Sequence, residues 1–270
     1  KEAWHYFGPF DIESGLAPVA DVAEDYQAMT AELLMKEMKA DPSVAVITAG
    51  TPACIGFSSA EKRLEAGRQF IDVGIAEEHA VALASGMATR GAKPVFGVFS
   101  CFIQRTYDQL NQDLCINQSP ATILTVWGSP LSMNDVTHAC WYDLPLLINI
   151  PGLVYLCPTT WEEYASMLRW AIHQTERPVA VRMPFGKVMH NADFKEEDWS
   201  LLDKYKVTRE GKDVAILGLG NMYHTAVAAA DILNAQGLEV TVINPRYATG
   251  VDTGLLEDLK KNHKLVITLE

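Results

Sequence analysis

The stretch at residues 70–89 reads FIDVGIAEEHAVALASGMAT, and it decides the fold class. Its opening is an apolar run too short for a helix, whereas the part from residue 77 onward is rich in alanine and favours a helix. A short apolar run that leads directly into a helix is typical of a parallel α/β layer. We therefore predict a strand at residues 70–75 and a helix at residues 77–89.

The same alternation extends to both sides of this stretch. Further strands are predicted at residues 44–48, 93–99, 121–126, 153–156 and 179–182. Further helices are predicted at residues 25–39, 104–117 and 160–175. Thr160 and Glu163 have the spacing of a capping box at the start of the last helix. The pattern predicts an α/β fold with a parallel sheet covered by helices.

A second unit follows a charged segment without periodicity. Its predicted strands lie at residues 214–217, 239–243 and 265–269, and its helices at residues 223–234 and 255–261. Three strands are marginal for an independent α/β domain, so we expect this domain to be incomplete. The predicted division is an N-terminal segment (1–19), a first domain (20–190), a connector (191–210) and a second domain (211–270).

Composition excludes several classes of protein. The chain has 270 residues, which favours two domains at about 150 residues each. With 49% hydrophobic and 21% charged residues, it is unlike disordered, collagen-like or coiled-coil proteins. The net charge of -12 repels phosphate backbones and anionic lipid, so we predict no nucleic-acid or membrane partner. The apolar runs are far shorter than the roughly 20 residues needed to cross a bilayer.

The five cysteines are an odd number without close spacing, and Cys101, Cys115 and Cys157 lie in apolar sequence. This pattern favours buried thiols in a reducing compartment, and we predict a cytoplasmic location. Lys1 is not a start methionine. We therefore expect the chain to begin after processing or inside a longer product.

Common hydrolase and metal signatures, including GxSxG, HExxH, CxxC and the Walker motif, do not occur in the sequence. We predict no metal site within this chain. Gly218-Leu219-Gly220 follows a predicted strand, which leaves a nicotinamide site as a less favoured alternative. The third glycine position of that motif is Tyr223, and the next strand ends in Asn244 and not in an acid.

Polar and aromatic residues follow three successive predicted strands. Glu77 and Glu78 follow one, Phe102 and Arg105 the next, and His138 lies in the loop after the third. Each group has a plain structural explanation, such as acids that complement a helix dipole or an aromatic core stripe. Ligands collect at the carboxyl ends of the strands in open α/β sheets, so the convergence of all three groups predicts a site.

Three segments carry a family resemblance: GIAEEHAVALASGMA (74–88), KPVFGVFSCFIQRTYDQ (93–109) and THACWYD (137–143). They resemble the pyrimidine-binding domain of the 1-deoxy-D-xylulose-5-phosphate synthase group in the transketolase family. The resemblance implies thiamine diphosphate as cofactor and a truncated C-terminal transketolase domain after the pyrimidine-binding domain. It also implies a further N-terminal domain that holds Mg²⁺ and the diphosphate through a GDG motif, which does not occur in this sequence.

The resemblance implies roles for individual residues. Glu77 matches the acid beside the pyrimidine ring of the cofactor, and His138 matches a histidine that exchanges protons with the substrate. The resemblance places four further residues at the cofactor: Ile75, Phe99, Phe102 and Arg105. Phe99 stands where a tyrosine is usual in the family.

The acceptor half of the site departs from the family. Trp127 and Phe185 fall where arginines are expected to hold the acceptor's phosphate, and each lost charge-assisted contact removes about 1.5–3 kcal/mol. Arg182 is a neighbouring cation that could compensate. Asn134 stands where the family has an aspartate, unless a shift of one residue makes Asp135 its equivalent. These five positions are the predicted substrate-binding residues, and they suggest an acceptor without a phosphate.

We therefore predict transfer of a two-carbon unit from a 2-oxo acid such as pyruvate to an aldehyde, with decarboxylation of the donor. The chain alone is expected to be inactive and to need its own N-terminal domain or a partner chain with the GDG motif. The alternatives are a split transketolase, a 2-oxo acid dehydrogenase beta-type subunit, and a catalytically silent family member. The small residues of the helix at 77–89 and the resemblance together predict a homodimer.

Overall fold

A computed structural model describes residues 10–15, 24–129, 132 and 137–270 of the chain. The strands of its first sheet are all parallel and lie in the order β2-β1-β3-β4-β6-β5. Their bounds are β1 Val44–Thr48, β2 Phe70–Asp72, β3 Lys93–Phe99, β4 Thr122–Val126, β5 Val154–Leu156 and β6 Val179–Arg182. The α/β class and the parallel sheet predicted from the sequence are confirmed.

Helices cover both faces of this sheet. They are α1 Tyr26–Ala40, α2 Ala60–Ala66, α3 Glu77–Ala88, α4 Tyr107–Gln109, α5 Asp143–Leu147 and α6 Trp161–His173. One core packs α1 and α6 on one face, and a second packs α3 on the other. β1 and β4 are buried along their whole length, which explains their continuous apolar sequence. No helix in the described part of the chain is long and apolar enough to cross a membrane.

The helix predicted at residues 104–117 forms three different short segments instead. They are a 3₁₀ turn Ile103–Thr106, the short α4, and a π-helical segment Leu110–Ile116. The Asp113 carbonyl accepts a hydrogen bond from Ser85 Oγ of α3 at 2.6 Å. Leu110 and Leu114 are fully buried beside α3. The wider turns of the π-helical segment therefore pack against α3. The local sequence pattern did not predict these turns.

The second sheet contains β7 Lys206–Arg209, β8 Val214–Gly218, β9 Val240–Asn244 and β10 Leu265–Leu269, with helices α7 Met222–Ala235 and α8 Thr253–Asn262. The strand order is β10-β8-β9-β7, and only β7 runs antiparallel within this described sheet. β7 lies in a region expected to be a connector, because its charged, mostly exposed sequence lacks an apolar signal. Gly218 allows the start of α7 to pack closely against β8, because a Cβ at this position would lie 2.6 Å from the Cα of Tyr223.

The second unit joins the first through strand β5. The Cys157 amide donates to the Arg246 carbonyl at 2.7 Å, and the Ala248 amide donates to the Tyr155 carbonyl at 2.8 Å. The loop after β9 therefore extends the edge of the first sheet. This pairing fixes the loop against the same layer that carries the candidate site.

Glu163 adds a second junction between the two units. As predicted, its backbone amide donates to Thr160 Oγ1, at 3.4 Å. Its carboxylate does not close the capping box but accepts from the Thr159 amide at 2.8 Å and from Asn244 Nδ2 at 3.0 Å. Burial raises the pKa of this carboxyl above its ordinary value. A buried acid is thus held between α6 and β9.

Candidate active site

A tight turn after β2 places Glu77 at the start of α3. Asp72 Oδ1 accepts the amides of Gly50 and Gly74, each at 2.9 Å, and so ties together the loops after β1 and β2. Gly74 has a φ of +72°, a conformation that a side chain would strain. The Ala76 amide donates to the Gly74 carbonyl at 2.8 Å. The chain then enters α3 with Glu77 facing the protein interior, only 3% exposed.

The carboxylate of Glu77 is incompletely satisfied within the described residues. Its Oε2 is buried and has no hydrogen-bond partner there. The nearest cation is Arg105, whose Nη1 lies 3.6 Å from Oε2, beyond normal hydrogen-bond length. A buried, unsatisfied carboxylate oxygen is costly for a fold. Such a group is typical of a side chain that binds a ligand's hydrogen-bonding atom.

Arg105 links the two acids at the start of α3. It lies in the 3₁₀ turn after β3, and its side chain is half exposed. Its Nε lies 3.5 Å from Oε1 of Glu78, while Nη1 approaches Glu77. The positive charge of Arg105 thereby balances the two acids at the start of α3. Because Arg105 follows β3 and the acids follow β2, this contact joins the ends of the two strands.

Aromatic side chains form a continuous wall beside this charged cluster. The Phe102 and Phe99 ring centroids are 5.8 Å apart, and those of Phe99 and Trp127 are 5.1 Å apart. The ring of His138 lies 5.4 Å from Phe102. These separations are typical of favourable aromatic pairs. A flat heterocycle can stack its face on this aromatic wall. The wall lies at the same edge of the sheet as Glu77.

His138 is positioned by its neighbour and by the wall. Its Nδ1 lies 2.8 Å from Thr137 Oγ1, and its ring packs against Phe102 as described. Imidazole is the side chain best suited to exchange protons near neutral pH. The structure therefore brings an imidazole, an aromatic surface and a buried acid together at three strand ends.

Ile75 and the loop after β4 complete the predicted positions. Ile75 lies in the turn before Glu77 and is 80% exposed, so its apolar side chain is available to a ligand or another domain. Ser132, in the loop after β4, donates from Oγ to the Trp127 carbonyl at 2.5 Å. Asn134 and Asp135 lie outside the described residues, and their proposed substrate roles stay predictions.

The two positions that replace expected arginines have different surroundings. Trp127 adopts a φ of +62° and packs on Phe99, and its Nε1 lies 2.8 Å from the side-chain amide of Gln27. It is therefore part of the aromatic wall. Phe185 follows β6, and its carbonyl accepts from Asn221 Nδ2 at 2.9 Å at the start of α7. The structure thus places Trp127 at the site and Phe185 against the second unit.

Arg182 is engaged inside the fold. Its Nε and Nη2 bind the two carboxylate oxygens of Asp143 at 2.8 and 3.0 Å, a bidentate geometry. Burial lowers the pKa of Arg182, but the charge and hydrogen bond of Asp143, together with the neighbouring Tyr155 and Cys157, outweigh this effect and raise the pKa above its ordinary value. In this arrangement Arg182 holds the start of α5, just after the His138 loop. Its predicted contact with substrate stays a prediction.

Asp143 and Gly128 are residues of the site region that the sequence analysis missed. Asp143 is fully buried and also accepts from the Tyr155 hydroxyl at 2.5 Å. A Cβ on Gly128 would lie 2.3 Å from Asp143 Oδ2 and 2.5 Å from Arg182 Nε. Asp143 is the last residue of the THACWYD segment, which carried the family resemblance. Its partner Arg182 lies 39 residues further along the chain, so no local sequence pattern indicated the ion pair.

Family models match almost the whole chain. Residues 23–189 match the transketolase pyrimidine-binding domain, and residues 203–270 match the transketolase C-terminal domain. The chain is 35% identical to the 1-deoxy-D-xylulose-5-phosphate synthase of Thermosynechococcus vestitus, over 99% of this chain and 42% of that protein. It is 33% identical to the synthase of Natranaerobius thermophilus, over 100% of this chain and 42% of that protein. It therefore spans less than half the length of these relatives.

Solved structures share the same fold. A split-gene transketolase in an inactive beta4 tetramer gives a TM-score of 0.73 at 22% identity, covering 91% of this chain and 78% of that chain. A mutant transketolase of Pichia stipitis gives a TM-score of 0.75 at 17% identity, covering 93% of this chain and 39% of that chain. At these identities the likeness establishes the architecture.

Proposed function

Because this chain belongs to the transketolase family, we propose that it forms the pyrimidine-binding half of a thiamine-diphosphate site. The reaction proposed for the whole protein is transfer of a two-carbon unit from a 2-oxo acid to an aldehyde. The observation that carries the proposal is Glu77, a buried carboxylate with an unsatisfied oxygen beside an aromatic wall. When bound, thiamine diphosphate supplies a carbon nucleophile that adds to carbonyl groups and accepts the electrons released by decarboxylation.

The residues of this chain fit the pyrimidine ring. The carboxyl group of Glu77 offers Oε2 to a ring nitrogen, and it is buried enough to keep water from competing. Phe102 offers the face of an aromatic ring beside it, supported by Phe99. Exposed Ile75 supplies an apolar contact from the turn. Together these side chains bind and orient a flat, polar-edged heterocycle.

His138 is proposed to move protons to and from the substrate. Its ring contacts Phe102, and the Phe102 ring in turn contacts Phe99. A group held there by Thr137 can protonate a developing substrate oxygen or remove the hydroxyl proton of a product. The role is that of a general acid and base.

The diphosphate and Mg²⁺ are proposed to bind to another domain. The chain covers 42% of the length of its synthase relatives, and a GDG motif does not occur in its sequence. We propose that this domain belongs to the same gene product. The functional unit is proposed to be a cytoplasmic homodimer, with the exposed face of α3 at Ala82 and Gly86 as a close-packing surface.

We further propose that the aldehyde acceptor carries no phosphate. Trp127 lies in the aromatic wall, in contact with Phe99, and it replaces a cation with a neutral ring. Arg182 is bound bidentately by Asp143 and is poorly placed to replace that cation. A neutral or apolar aldehyde suits such a lining better than a phosphorylated one.

The test is pyruvate-dependent CO₂ release by the full-length gene product with thiamine diphosphate and Mg²⁺. Parallel reactions contain glyceraldehyde 3-phosphate or unphosphorylated glyceraldehyde. The proposal expects turnover that requires the cofactor and is at least as fast with the neutral aldehyde. A strong preference for the phosphorylated aldehyde would overturn the proposal of a neutral acceptor. The proposed two-carbon transfer would still stand. No cofactor-dependent turnover with any acceptor, and no cofactor binding, would overturn both.

A split enzyme is the second candidate function. The chain covers 78% of a split-gene transketolase chain, a larger share than it covers of the synthase relatives. In that case a separate chain would bring the diphosphate-binding domain. Purification of a tagged copy from its source would recover a second, stoichiometric chain with a GDG motif. A single longer polypeptide would contradict the split form.

A further inference from the structure

A cavity of about 320 Å³ opens at the junction of the two units. Exposed side chains of the connector and of β7, His190 and Lys206, stand at its mouth. Its floor consists of buried polar side chains from α6, from the segment before α6 and from the end of β9, each at most 7% exposed: Thr159, Thr160, Glu163 and Asn244. The cavity has the volume of a site for a small molecule.

The floor of the cavity carries one acidic group, Glu163. Its Oε2 accepts from the Thr159 amide at 2.8 Å and from the Thr159 hydroxyl at 2.7 Å. Its Oε1 accepts from Asn244 Nδ2 at 3.0 Å. All three donors are neutral, and in the described part of the chain no basic side chain forms an ion pair with this carboxylate. Burial raises the pKa of the carboxyl, as expected for a buried acid without a countercharge.

The two basic side chains at the mouth are already matched by other acids. His190 Nδ1 lies 2.6 Å from Glu162 Oε1, and its Nε2 lies 2.8 Å from Glu24 Oε2. The hydrogen bonds to these two carboxylates raise the pKa of His190. The ammonium group of Lys206 is paired with Glu197. Neither cation therefore neutralises the carboxyl on the floor.

The rest of the lining suits a cation that has a carbon body. His224 Nε2 lies 2.7 Å from the Thr159 carbonyl. Because a carbonyl oxygen only accepts, this nitrogen carries the hydrogen, and Nδ1 of the neutral ring is an acceptor. Phe194 and Tyr223 also line the cavity, and aromatic faces attract cations and pack against methylene groups. The lining thus offers both acceptors and apolar surface.

A bare metal ion fits this lining less well than an organic cation. Groups of three or more His, Cys, Asp or Glu side chains that could hold a metal do not occur among the residues that the structure describes. A primary ammonium instead donates three hydrogen bonds, and a short carbon chain fills the space beside the aromatic rings. The net charge of -12 also attracts cations to the protein.

We propose that this cavity binds a small primary amine whose ammonium group pairs with the Glu163 carboxylate. The cation supplies the missing countercharge, and a carboxyl that still holds its proton releases it to solvent as the cation enters. The carbon body packs on Phe194 and Tyr223. Because the lining comes from both units, the amine binds only where they are docked and stabilises the junction. None of this depends on the proposed function, since the lining includes neither Glu77 nor the aromatic wall.

The test uses n-butylammonium as the probe and n-butanol as its neutral counterpart of equal chain length. Binding to the full-length protein is measured by titration calorimetry near neutral pH and at constant ionic strength. We expect saturable binding of the amine with a Kd of about 1 mM or tighter, and a higher Tm with the amine than with the alcohol. Equal affinity for n-butanol, or no saturable binding of the amine at twenty times that concentration, would overturn the proposal.

Matched variants locate the amine in the cavity. Glu163→Gln removes the charge and keeps the shape of the side chain, so its affinity for n-butylammonium should fall by about tenfold or more. Glu176→Gln is the control, because that side chain is 72% exposed and pairs with Arg177. This control should bind the amine as the parent protein does. A folded Glu163→Gln protein with the parent's affinity would overturn the proposal.

A second variant fills the cavity and leaves the carboxyl in place. Thr208 is exposed on the edge strand β7 and lines the cavity, so Thr208→Phe occupies the space without changing the core. Its affinity for n-butylammonium should also fall by about tenfold or more, and this result decides the question if Glu163→Gln does not fold. Unchanged affinity in Thr208→Phe would place the amine outside the cavity and overturn the assignment.

Discussion

Oε2 of Glu77 lies 3.6 Å from Nη1 of Arg105, while Nε of the same arginine lies 3.5 Å from Oε1 of Glu78. One guanidinium therefore spans two neighbouring acids whose environments differ: Glu77 is 3% exposed and Glu78 is 41% exposed at the side chain. The difference follows from the turn at Gly74, which directs the first acid inward. It makes these two residues a matched pair for testing the site.

Removal of the Asp143 carboxylate should strongly destabilise the protein. Asp143→Ala leaves Arg182 as a buried, unpaired cation, and breaking such a pair typically costs about 3–5 kcal/mol. The free energy of unfolding, measured by urea denaturation, should fall by that amount. A fall below about 1 kcal/mol would show that water or another group replaces the carboxylate.

The double variant Asp143→Leu/Arg182→Met supplies the control for this ion pair. Apolar side chains of similar size remove both charges together and avoid the unpaired cation. The double variant should therefore be more stable than Asp143→Ala alone. Equal destabilisation would mean that lost packing, and not charge, explains the single variant.

Gly128 should not tolerate a side chain. A Cβ there would lie 2.3 Å from Asp143 Oδ2 and 2.5 Å from Arg182 Nε, so Gly128→Ala must displace the ion pair. We expect a loss of about 2 kcal/mol or more in unfolding free energy. Gly254→Ala in α8 is the control, since its Cβ would meet the nearest atom at 3.6 Å. Equal effects of the two changes would contradict the packing seen around Gly128.

The buried acid at the junction of the two units predicts a pH dependence. Burial raises the pKa of Glu163, so the folded state holds the proton to higher pH than the unfolded state. The stability from this group is complete below its ordinary pKa of 4.5 and is lost as pH rises through the folded value. The parent protein should therefore lose stability relative to Glu163→Gln as the pH rises above that ordinary value, by at most about 1.4 kcal/mol per pH unit.

An exposed glutamate controls for general effects of pH. Glu176 has a side chain that is 72% exposed and pairs with Arg177, so Glu176→Gln should follow the parent protein at every pH. Chemical denaturation at a series of pH values measures both differences. A constant difference between the parent and Glu163→Gln would contradict the raised pKa.

Under the proposed function, a cation introduced at position 127 should change the preference for the acceptor. Trp127→Arg places a guanidinium beside Phe99, where a charge-assisted contact to phosphate is worth about 1.5–3 kcal/mol. The ratio of kcat/KM for phosphorylated over neutral aldehyde should rise by about tenfold or more. Trp127→Phe keeps a neutral ring and should leave that ratio nearly unchanged. An unchanged ratio in Trp127→Arg would place the acceptor's phosphate elsewhere.

Much of the first domain could be predicted from local sequence. The strands are buried on both faces, so their apolar runs stand out, and the residues at three strand ends converge as expected because the strands are parallel. Cys101, Cys115 and Cys157 are buried, as their apolar surroundings predicted. These features depend on short segments of chain, which a single sequence displays directly.

The remaining features depend on contacts between distant residues. The exposed edge strand β7 carries a charged sequence whose pairing with β9 has no local signal. The role of Arg182 depends on Asp143, which lies 39 residues away in the chain. Such pairings follow from the order of strands in the sheet. A single sequence does not specify that order.

The most direct test of the account compares Glu77→Gln with Glu78→Gln in the full-length protein. Both changes replace one carboxylate with an amide beside Arg105, and only Glu77 is buried with an unsatisfied oxygen. We measure thiamine-diphosphate binding by calorimetry and cofactor-dependent turnover of pyruvate. The account predicts that Glu77→Gln loses at least 100-fold in turnover while Glu78→Gln stays within about threefold of the parent, since a missing hydrogen bond to a charged group costs about 1.5–3 kcal/mol or more when buried. Equal turnover of the two variants would contradict the assignment of Glu77 to the cofactor.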